Sequence, residues 1–238
     1  MSKPIYLRTW GEFACFTRPE MKVERVSYPV MTPSAARGLL EAILYKPQFR
    51  WRIHRVAVRK PIRFLSVRRN ELKRRIPTGN PQPMFAEDER TQRNTLALRE
   101  VEYVIEASVE LTSLANQPRR KSPCEDEPEG DDNLSKYHGM FRRRAENGQC
   151  FVYPCFGCRE FPAHFELTDA DAMQVPLEAN PDTDLGLMLY DVFDLDMMHE
   201  PGRVEAAPKV TFFAARLEKG VMKIPPWTDI KDQLGSAQ

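Results

Sequence analysis

The chain has 238 residues, 42% hydrophobic and 29% charged, a mixture that supports a packed core and excludes an intrinsically disordered polypeptide. No apolar run is long enough to cross a bilayer and Met1-Ser2-Lys3-Pro4 opens no signal-peptide core, so a cytoplasmic, membrane-free protein with reduced cysteines is expected. The net charge of +1 hides an asymmetry: residues 46–75 hold twelve Lys/Arg against the single acid Glu71, while residues 160–200 hold eleven Asp/Glu and no Lys/Arg. A block that basic predicts a polyanion as partner.

Residues 5–16 read as a strand, with Ile5, Leu7 and Thr9 on one face, Tyr6 and Arg8 on the other, and Gly11 marking a bulge or a close backbone approach. A helix follows, capped by Thr32, with Pro33 in its first position. Ala36, Leu39, Leu40, Ile43 and Leu44 form its buried stripe. Pro47 ends it, because the residue before a proline, Lys46, is pushed out of the helical region. Tyr45 and Lys46 are thus expected at a frayed, surface-facing end.

Residues 49–60 are strand-like, with Trp51, Ile53, Val56 and Val58 set among arginines, and residues 61–67 make a second extended piece. The run 68–75, closed by Pro77, Gly79, Pro81 and Pro83, reads as a basic loop or hairpin, and 87–94 as polar loop. Residues 98–111 are the clearest strand. Val101, Tyr103, Ile105, Ala107, Val109 and Leu111 share one face, and Glu102, Glu106 and Glu110 the other. Residues 116–133 mix proline, glycine and both charges, the composition of a mobile surface insertion.

A second helix is expected from 132–135 to Gly148, with Ser135 as its cap. Leu134, Tyr137, Phe141 and Ala145 are its buried stripe, and Arg143 and Arg144 face outward near its end. Residues 159–167 read as another strand. The order strand, helix, strand with hairpin, strand, helix, strand is βαββαβ. That predicts an α+β, ferredoxin-like (RRM/RAMP) domain over 1–168, with a basic hairpin at 61–83 and the insertion at 116–133. A small C-terminal β region would fill 169–238, with strands at 185–194 and 210–217.

Metal chemistry finds little support. Cys150-x4-Cys155-x2-Cys158 has the spacing of an iron–sulfur loop but no fourth cysteine follows, and Cys155-x2-Cys158 is half a zinc knuckle even with His164 added. Asp182, Asp184, Asp191, Asp194 and Asp196 follow no two-metal order. No Gly-rich phosphate loop is present, and His54 reads as a surface histidine. No metal and no cofactor is expected.

Lys136, Tyr137 and His138 are the chemistry-bearing cluster. Metal-free RNA cleavage needs a base for the 2′-OH, a cation or N–H donors for the charge on the phosphorane, and an acid for the leaving 5′ oxygen. Lysine, tyrosine and histidine can share those jobs beside the free amides of a helix start. A regular helix sets Lys136 and His138 about 200° apart, which opposes their meeting at one phosphate. A surface lysine, a core tyrosine and an incidental histidine remain the other reading. The candidate RNA contacts are Lys46, Arg50, Arg52, Arg68, Arg69, Lys73, Arg74, Arg75, Arg142, Arg143 and Arg144, with Phe49, Trp51, Phe64 and Phe141 among them for stacking. The three glutamates of the 98–111 strand argue against RNA lying across the open sheet. A single cleft joining the 68–75 run to the second helix's first turn is expected instead.

Several stretches carry a resemblance: Met31-Thr32-Pro33-Ser34-Ala35-Ala36-Arg37-Gly38, Lys46-Pro47, Pro61-Ile62-Arg63-Phe64, Arg68-Arg69-Asn70-Glu71, Phe141-x-Arg143-Arg144 and Phe156-Gly157-Cys158-Arg159-Glu160-Phe161-Pro162. Together they resemble the Cas5 subunit of type I-C CRISPR systems, the Cas5d (Cas5c) family, over most of residues 5–167. The resemblance implies a RAMP-type ferredoxin-like domain with a small C-terminal β region. It implies a metal-independent endoribonuclease that cuts pre-crRNA at the repeat stem-loop, by 2′-OH attack, leaving a 2′,3′-cyclic phosphate. The enzyme would stay on the 5′ handle of the crRNA in the Cascade surveillance complex, beside the Cas7 backbone and the large Cas8c subunit, with contact to target DNA left open.

Relatives have lysine followed directly by histidine at the start of the second helix. Lys136 matches the lysine, Tyr137 holds the histidine's place, and His138 comes one later. Relatives often have tyrosine three before the proline that ends the first helix. That place is Leu44 here, and Tyr45 comes one later. The resemblance therefore makes Lys136, His138, Tyr137 and Tyr45 the catalytic candidates. Its alternative is a catalytically impaired, RNA-binding structural subunit of the same complex.

Overall fold

The computed structural model describes residues 3–73, 85–116, 132–176, 180–193, 195 and 210–231. It is a mixed α/β structure dominated by one largely antiparallel sheet of nine strands, with few helices. The central strands are β1 (Ile5–Ala14), β3 (Phe49–Val58), β5 (Arg90–Leu111) and β6 (His164–Thr168), in the spatial order β6-β1-β5-β3. Helix α1 (Pro33–Ile43) lies between β1 and β3 in the chain, and α2 (Leu134–Glu146) between β5 and β6.

The alternation of β5 sets the two faces. Val101, Tyr103, Ile105, Ala107 and Val109 are buried beneath the helices, while Glu102, Glu106 and Glu110 occupy the other face. α1 forms as its residues dictate: Thr32 Oγ1 accepts from Ala35 N at 3.2 Å, Pro33 opens the first turn, and Ala36, Leu39, Leu40 and Ile43 are buried. α2 is capped two residues earlier than expected. Asn133, not Ser135, takes the free Lys136 amide at 2.9 Å, which moves Ser135 into the first turn. Its stripe docks on β3 through two aromatic contacts, Tyr137 on Phe49 and Phe141 on Trp51, each with ring centroids 4.6 Å apart.

Part of the run expected as polar loop is strand: residues 90–94 open β5, while 87–89 remain a turn. β4 (Phe64–Leu72) pairs antiparallel with residues 90–98 of β5, so the basic run expected as a loop or hairpin takes the hairpin-like form over 68–72. β4 alternates exposed and half-buried residues with none fully buried, so no apolar period marks it. Main-chain pairing holds it. The two-residue β2 (Arg25–Val26) adds parallel pairing to β5. β6 is shorter than expected: the chain before it turns back on itself through a Cys155–Pro162 bridge, and pairing to β1 begins only at His164.

The tail's strands β7 (Thr183–Asp191), β8 (Thr211–Glu218) and β9 (Val221–Lys223) join the same sheet, because β9 pairs with β3. A short α3 (Trp227–Lys231) follows. Buried Arg37 of α1 fastens this extension, with its guanidinium 2.9 and 3.0 Å from the two carboxylate oxygens of Asp191 and 2.8 Å from Glu41. No described helix is long and apolar enough to cross a membrane.

Candidate active site and nucleic-acid interface

The start of α2 is built around an acid that sequence reasoning passed over. Asp132 is 4% exposed. One of its carboxylate oxygens receives the Tyr137 hydroxyl at 2.5 Å and the Lys136 ammonium at 3.3 Å, and the other receives the Asn116 amide at 3.2 Å. The Asp132 amide in turn donates to Asn116 Oδ1 at 2.8 Å, tying the end of the β5 segment to the helix start. A buried carboxylate persists only with such partners. Its trace in the sequence is the i, i+4 spacing of Asp132 and Lys136 across a helix boundary.

Tyr137 is 1% exposed and sandwiched between Phe49 and its hydrogen bond to Asp132. It is a core residue that orients the acid and, through it, Lys136. Lys136 keeps a third of its side chain in solvent and its ammonium 5.7 Å from the centre of the Tyr137 ring. His138 belongs to a different flank of the helix. Burial first, then the charges of Arg142 and Lys3, hold its imidazole below the usual value. Tyr45, 47% exposed, stands just beyond α1, and burial followed by nearby Glu41 pushes its phenol up. Lys46 is half-buried beside it. Both sit on the short link between α1 and Phe49, the residue under Tyr137. The structure thus places Tyr45 and Lys46 on that link, beside the end of α1 that Arg144 reaches, and Lys136 and Tyr137 at the opposite end of α2.

It does not gather the basic run with them. Arg68 and Arg69 pair with Asn94 and Arg93, whereas the α2 start adjoins the Leu111 end of β5, where Phe49 pairs. Leu111 lies seventeen residues beyond Asn94 in β5, with a break in the extended course at Glu100, φ +54, so the two places stand well apart along the strand. The single cleft expected from the sequence is therefore replaced by two separate cationic regions. Arg68 and Lys73 are exposed on the β4 ribbon, and Arg69 is held by Glu71 at 2.8 Å and Glu160 at 2.5 Å. Arg74 and Arg75 lie outside the described residues.

Arginines of the basic strand face the glutamates of β5. Arg50 and Arg52 reach Glu110 at 3.2 and 2.8 Å, Arg55 pairs with Glu106, and Arg59 and Arg8 share Glu102 at 3.3 and 2.9 Å. Burial would raise the Glu110 carboxyl, but the Arg52 hydrogen bond and the Arg50 and Arg52 charges outweigh it and hold it low. His54 Nε2 lies 2.7 Å from Ser108 Oγ. A cavity of about 770 Å³ opens on this face, lined by Arg52, His54, Arg55, Glu106 and Glu110 among others. Its opposed charges make it a poor polyanion cradle. On α2, Arg142 pairs with Glu146 at 3.2 Å, Arg143 is exposed, and Arg144 donates to the Ile43 carbonyl at 2.9 Å, bridging the ends of the two helices.

The described cysteines are free. Cys15 and Cys158 share a small buried cluster with Ala97, and Arg25 Nη1 lies 3.2 Å from Cys158 Sγ. The neighbouring Cys15 thiol, then the Arg25 guanidinium, push the Cys158 thiol down against the effect of its burial. Among the described residues no three His, Cys, Asp or Glu side chains converge as a metal site would require.

A family model described as CRISPR-associated protein (Cas_Cas5), Cas5d type, matches residues 5–225. The chain belongs to the Cas5 family. A protein of Mannheimia succiniciproducens named CRISPR pre-crRNA endoribonuclease Cas5d is 45% identical over 95% of this chain and 97% of its own length. A Thermus thermophilus protein of the same name is 41% identical over 93% of this chain and 91% of its own length. Among solved structures, a functionally uncharacterized protein from Streptococcus mutans superimposes with a TM-score of 0.63 at 20% identity, over 97% of this chain and 96% of that one. A structure titled CRISPR-associated protein does so with a TM-score of 0.63 at 20% identity, over 96% of this chain and 95% of the other. At that identity the likeness concerns the fold. Within this Cas5 chain the features that sequence reasoning missed, Asp132 under Lys136 and Arg37 under the sheet extension, are both buried charges with partners distant in sequence or beyond a helix end.

Proposed function

We propose that this Cas5 chain is a metal-independent endoribonuclease that cuts pre-crRNA at the repeat stem-loop and stays on the 5′ handle of the product inside a type I-C surveillance complex. The observation that carries the reading is the Lys136 ammonium, fixed at the amide-bearing start of α2 by Asp132 and Tyr137, in a chain 41–45% identical to proteins named pre-crRNA endoribonucleases. Lys136 stabilises the charge that builds on the phosphorane. Tyr45 and His138 are the candidates for proton transfer at the 2′-OH and the leaving 5′ oxygen, with His138 on a different flank of α2 from Lys136, and Tyr137 acts as a positioning residue. Attack by the 2′-OH leaves a 2′,3′-cyclic phosphate and a free 5′-OH, with no water consumed in that step. Lys46, Arg142 and Arg143 hold RNA phosphates along the helices, Arg68 and Lys73 contact a more distant part of the RNA, and Arg74 and Arg75, outside the described residues, are RNA contacts on the sequence alone. Cas7 and Cas8c subunits are the neighbours in the complex, which works in the cytoplasm.

The fold reading goes with it. Residues 1–168 form a ferredoxin-like βαββαβ unit and 169–238 a smaller β annex. The spatial order β6-β1-β5-β3, with one helix in each crossover, supports that division.

A second reading, a structural RNA-binding subunit with impaired catalysis, draws on one observation: Tyr137 stands in the core where relatives carry histidine, and His138 faces Arg142 and Lys3. Incubating the purified chain with its cognate repeat RNA in excess chelator separates the two. Product ending in a cyclic phosphate supports the enzyme. Tight, salt-sensitive binding with no product supports the structural subunit.

A further inference from the structure

The segment that follows α2 leaves three consecutive apolar side chains in solvent: Phe151 is 80% exposed, Val152 58% and Tyr153 60%. Its main chain is anchored at several points. Gln149 N donates to the Arg144 carbonyl at 2.8 Å, and Phe151 N and Val152 N both donate to the Ala42 carbonyl, at 2.8 and 3.1 Å. Beyond them Ala163 N donates to the Pro154 carbonyl at 2.9 Å. The Ala42 carbonyl is one of those a helix leaves unpaired in its last turn, so these bonds fix the segment to α1. The backbone is thus held while the rings, which stack on no other ring among the described residues, project outward. Tyr45, 47% exposed, lies three residues beyond Ala42.

Charge decides what such a patch fits. The core of a protein–protein interface is depleted of charge. Here residues 136–159 carry five Lys/Arg and the single acid Glu146; Arg142 engages that acid, Lys136 reaches Asp132 and Arg144 the Ile43 carbonyl, which leaves Arg143 and Arg159 exposed. Exposed rings among cations are the composition of a surface on which unpaired bases stack while cations meet the phosphates.

We propose that Phe151 and Tyr153 form a stacking platform for unpaired nucleotides of the RNA flanking the repeat stem-loop. This rests on the RNA-processing reading above and extends it to the single-stranded flank. Stacking has no preference among bases, because each presents a π face, so the platform reads the absence of pairing and not a sequence. Lys46 and Arg143 supply the phosphate contacts on either side.

The test compares the full-length chain with a Phe151→Ala/Tyr153→Ala variant on two RNAs, the repeat with its unpaired flanks and the same stem-loop trimmed of them. The variant should melt with the wild type, since both rings are largely exposed. It should bind the flanked RNA at least about ten-fold more weakly, bind the trimmed RNA equally, and keep the wild-type salt slope. A Tyr153→Trp chain should show indole fluorescence quenched by the flanked RNA alone. Unchanged affinity of the double variant for flanked RNA, with wild-type binding intact, overturns the platform alone. A variant that keeps RNA affinity but no longer assembles with the other complex subunits makes the patch a protein interface and also overturns it. A wild-type chain that binds neither RNA overturns the processing reading together with this one.

Discussion

Lys136 and Asp132 stand one turn apart where α2 begins, with the ammonium 3.3 Å from the carboxylate oxygen that also takes the Tyr137 hydroxyl at 2.5 Å. The two partners carry unequal weight. Lys136 is a third exposed, so its pair with Asp132 is expected to contribute no more than ~1 kcal/mol to stability. Asp132→Ala strips the buried Tyr137 hydroxyl and the Asn116 amide of their acceptor, at about 1–3 kcal/mol for each group left unsatisfied. Urea unfolding should therefore separate a mild Lys136→Ala from a severe Asp132→Ala. Single-turnover cleavage of repeat RNA should fall roughly 100-fold or more in Lys136→Ala. Equal destabilisation by both substitutions would remove the positioning role of the acid.

The environment of His138 has a pH signature. Burial and the Arg142 and Lys3 charges hold its folded-state value below that of the unfolded chain. The unfolded state then binds the proton first as pH falls below about 6.5. The folded chain should lose stability over that window, and His138→Gln should flatten the loss. If His138 also takes a proton in the reaction, the acid limb of the kcat/KM profile lies below about 6.5 in wild type and vanishes in His138→Gln. An acid limb unchanged in the variant assigns it to another group.

Arg68 and Arg52 belong to the same basic block but differ in their surroundings. Arg68 is exposed on the β4 ribbon, whereas Arg52 is bound to Glu110 at 2.8 Å. Arg68→Ala should weaken RNA binding and reduce the slope of log affinity against log salt by about 1. Arg52→Ala should change that slope little, because the charge it removes is already matched. Filter binding at several salt concentrations reads both, and a larger slope change in Arg52→Ala would reverse the assignment.

Gly157 and Gly38 form a further contrast. Gly157 has φ +81 and a Cβ there would stand 2.1 Å from the Cys15 carbonyl oxygen, while a Cβ on Gly38 meets nothing within 4 Å. Gly157→Ala forces the 155–162 turn off the end of β1 and should cost at least ~2 kcal/mol. Gly38→Ala, inside α1, should leave Tm unchanged or raise it, by up to ~1 kcal/mol of helix propensity. Thermal melts of the two variants decide the matter.

Residues interacting with near neighbours in the chain declared themselves in the sequence. The Thr32-Pro33 start of α1, its stripe from Ala36 to Ile43, and the burial of Val101, Tyr103, Ile105, Ala107 and Val109 follow from local sterics and period, and the structure has them, although α1 already ends at Ile43 and the second face of β5 is largely buried as well. The motif-bearing stretches also sufficed for the family. What local pattern cannot carry is pairing between polar strands and the matching of charges brought together from afar. β4 has no buried residue to announce it, and only its hydrogen-bonded register on β5 makes 64–72 a strand. Tyr137 and His138 are adjacent and look equally chemical in the sequence, yet docking on Phe49 buries the first and leaves the second partly exposed. The twelve cations of residues 46–75 read as one polyanion-seeking block until Glu102, Glu106 and Glu110 are laid against part of it. Composition sums charge along the chain, but a ligand meets only the charge the fold leaves unmatched, and that balance is set by pairings fifty or more residues apart such as Arg52 with Glu110.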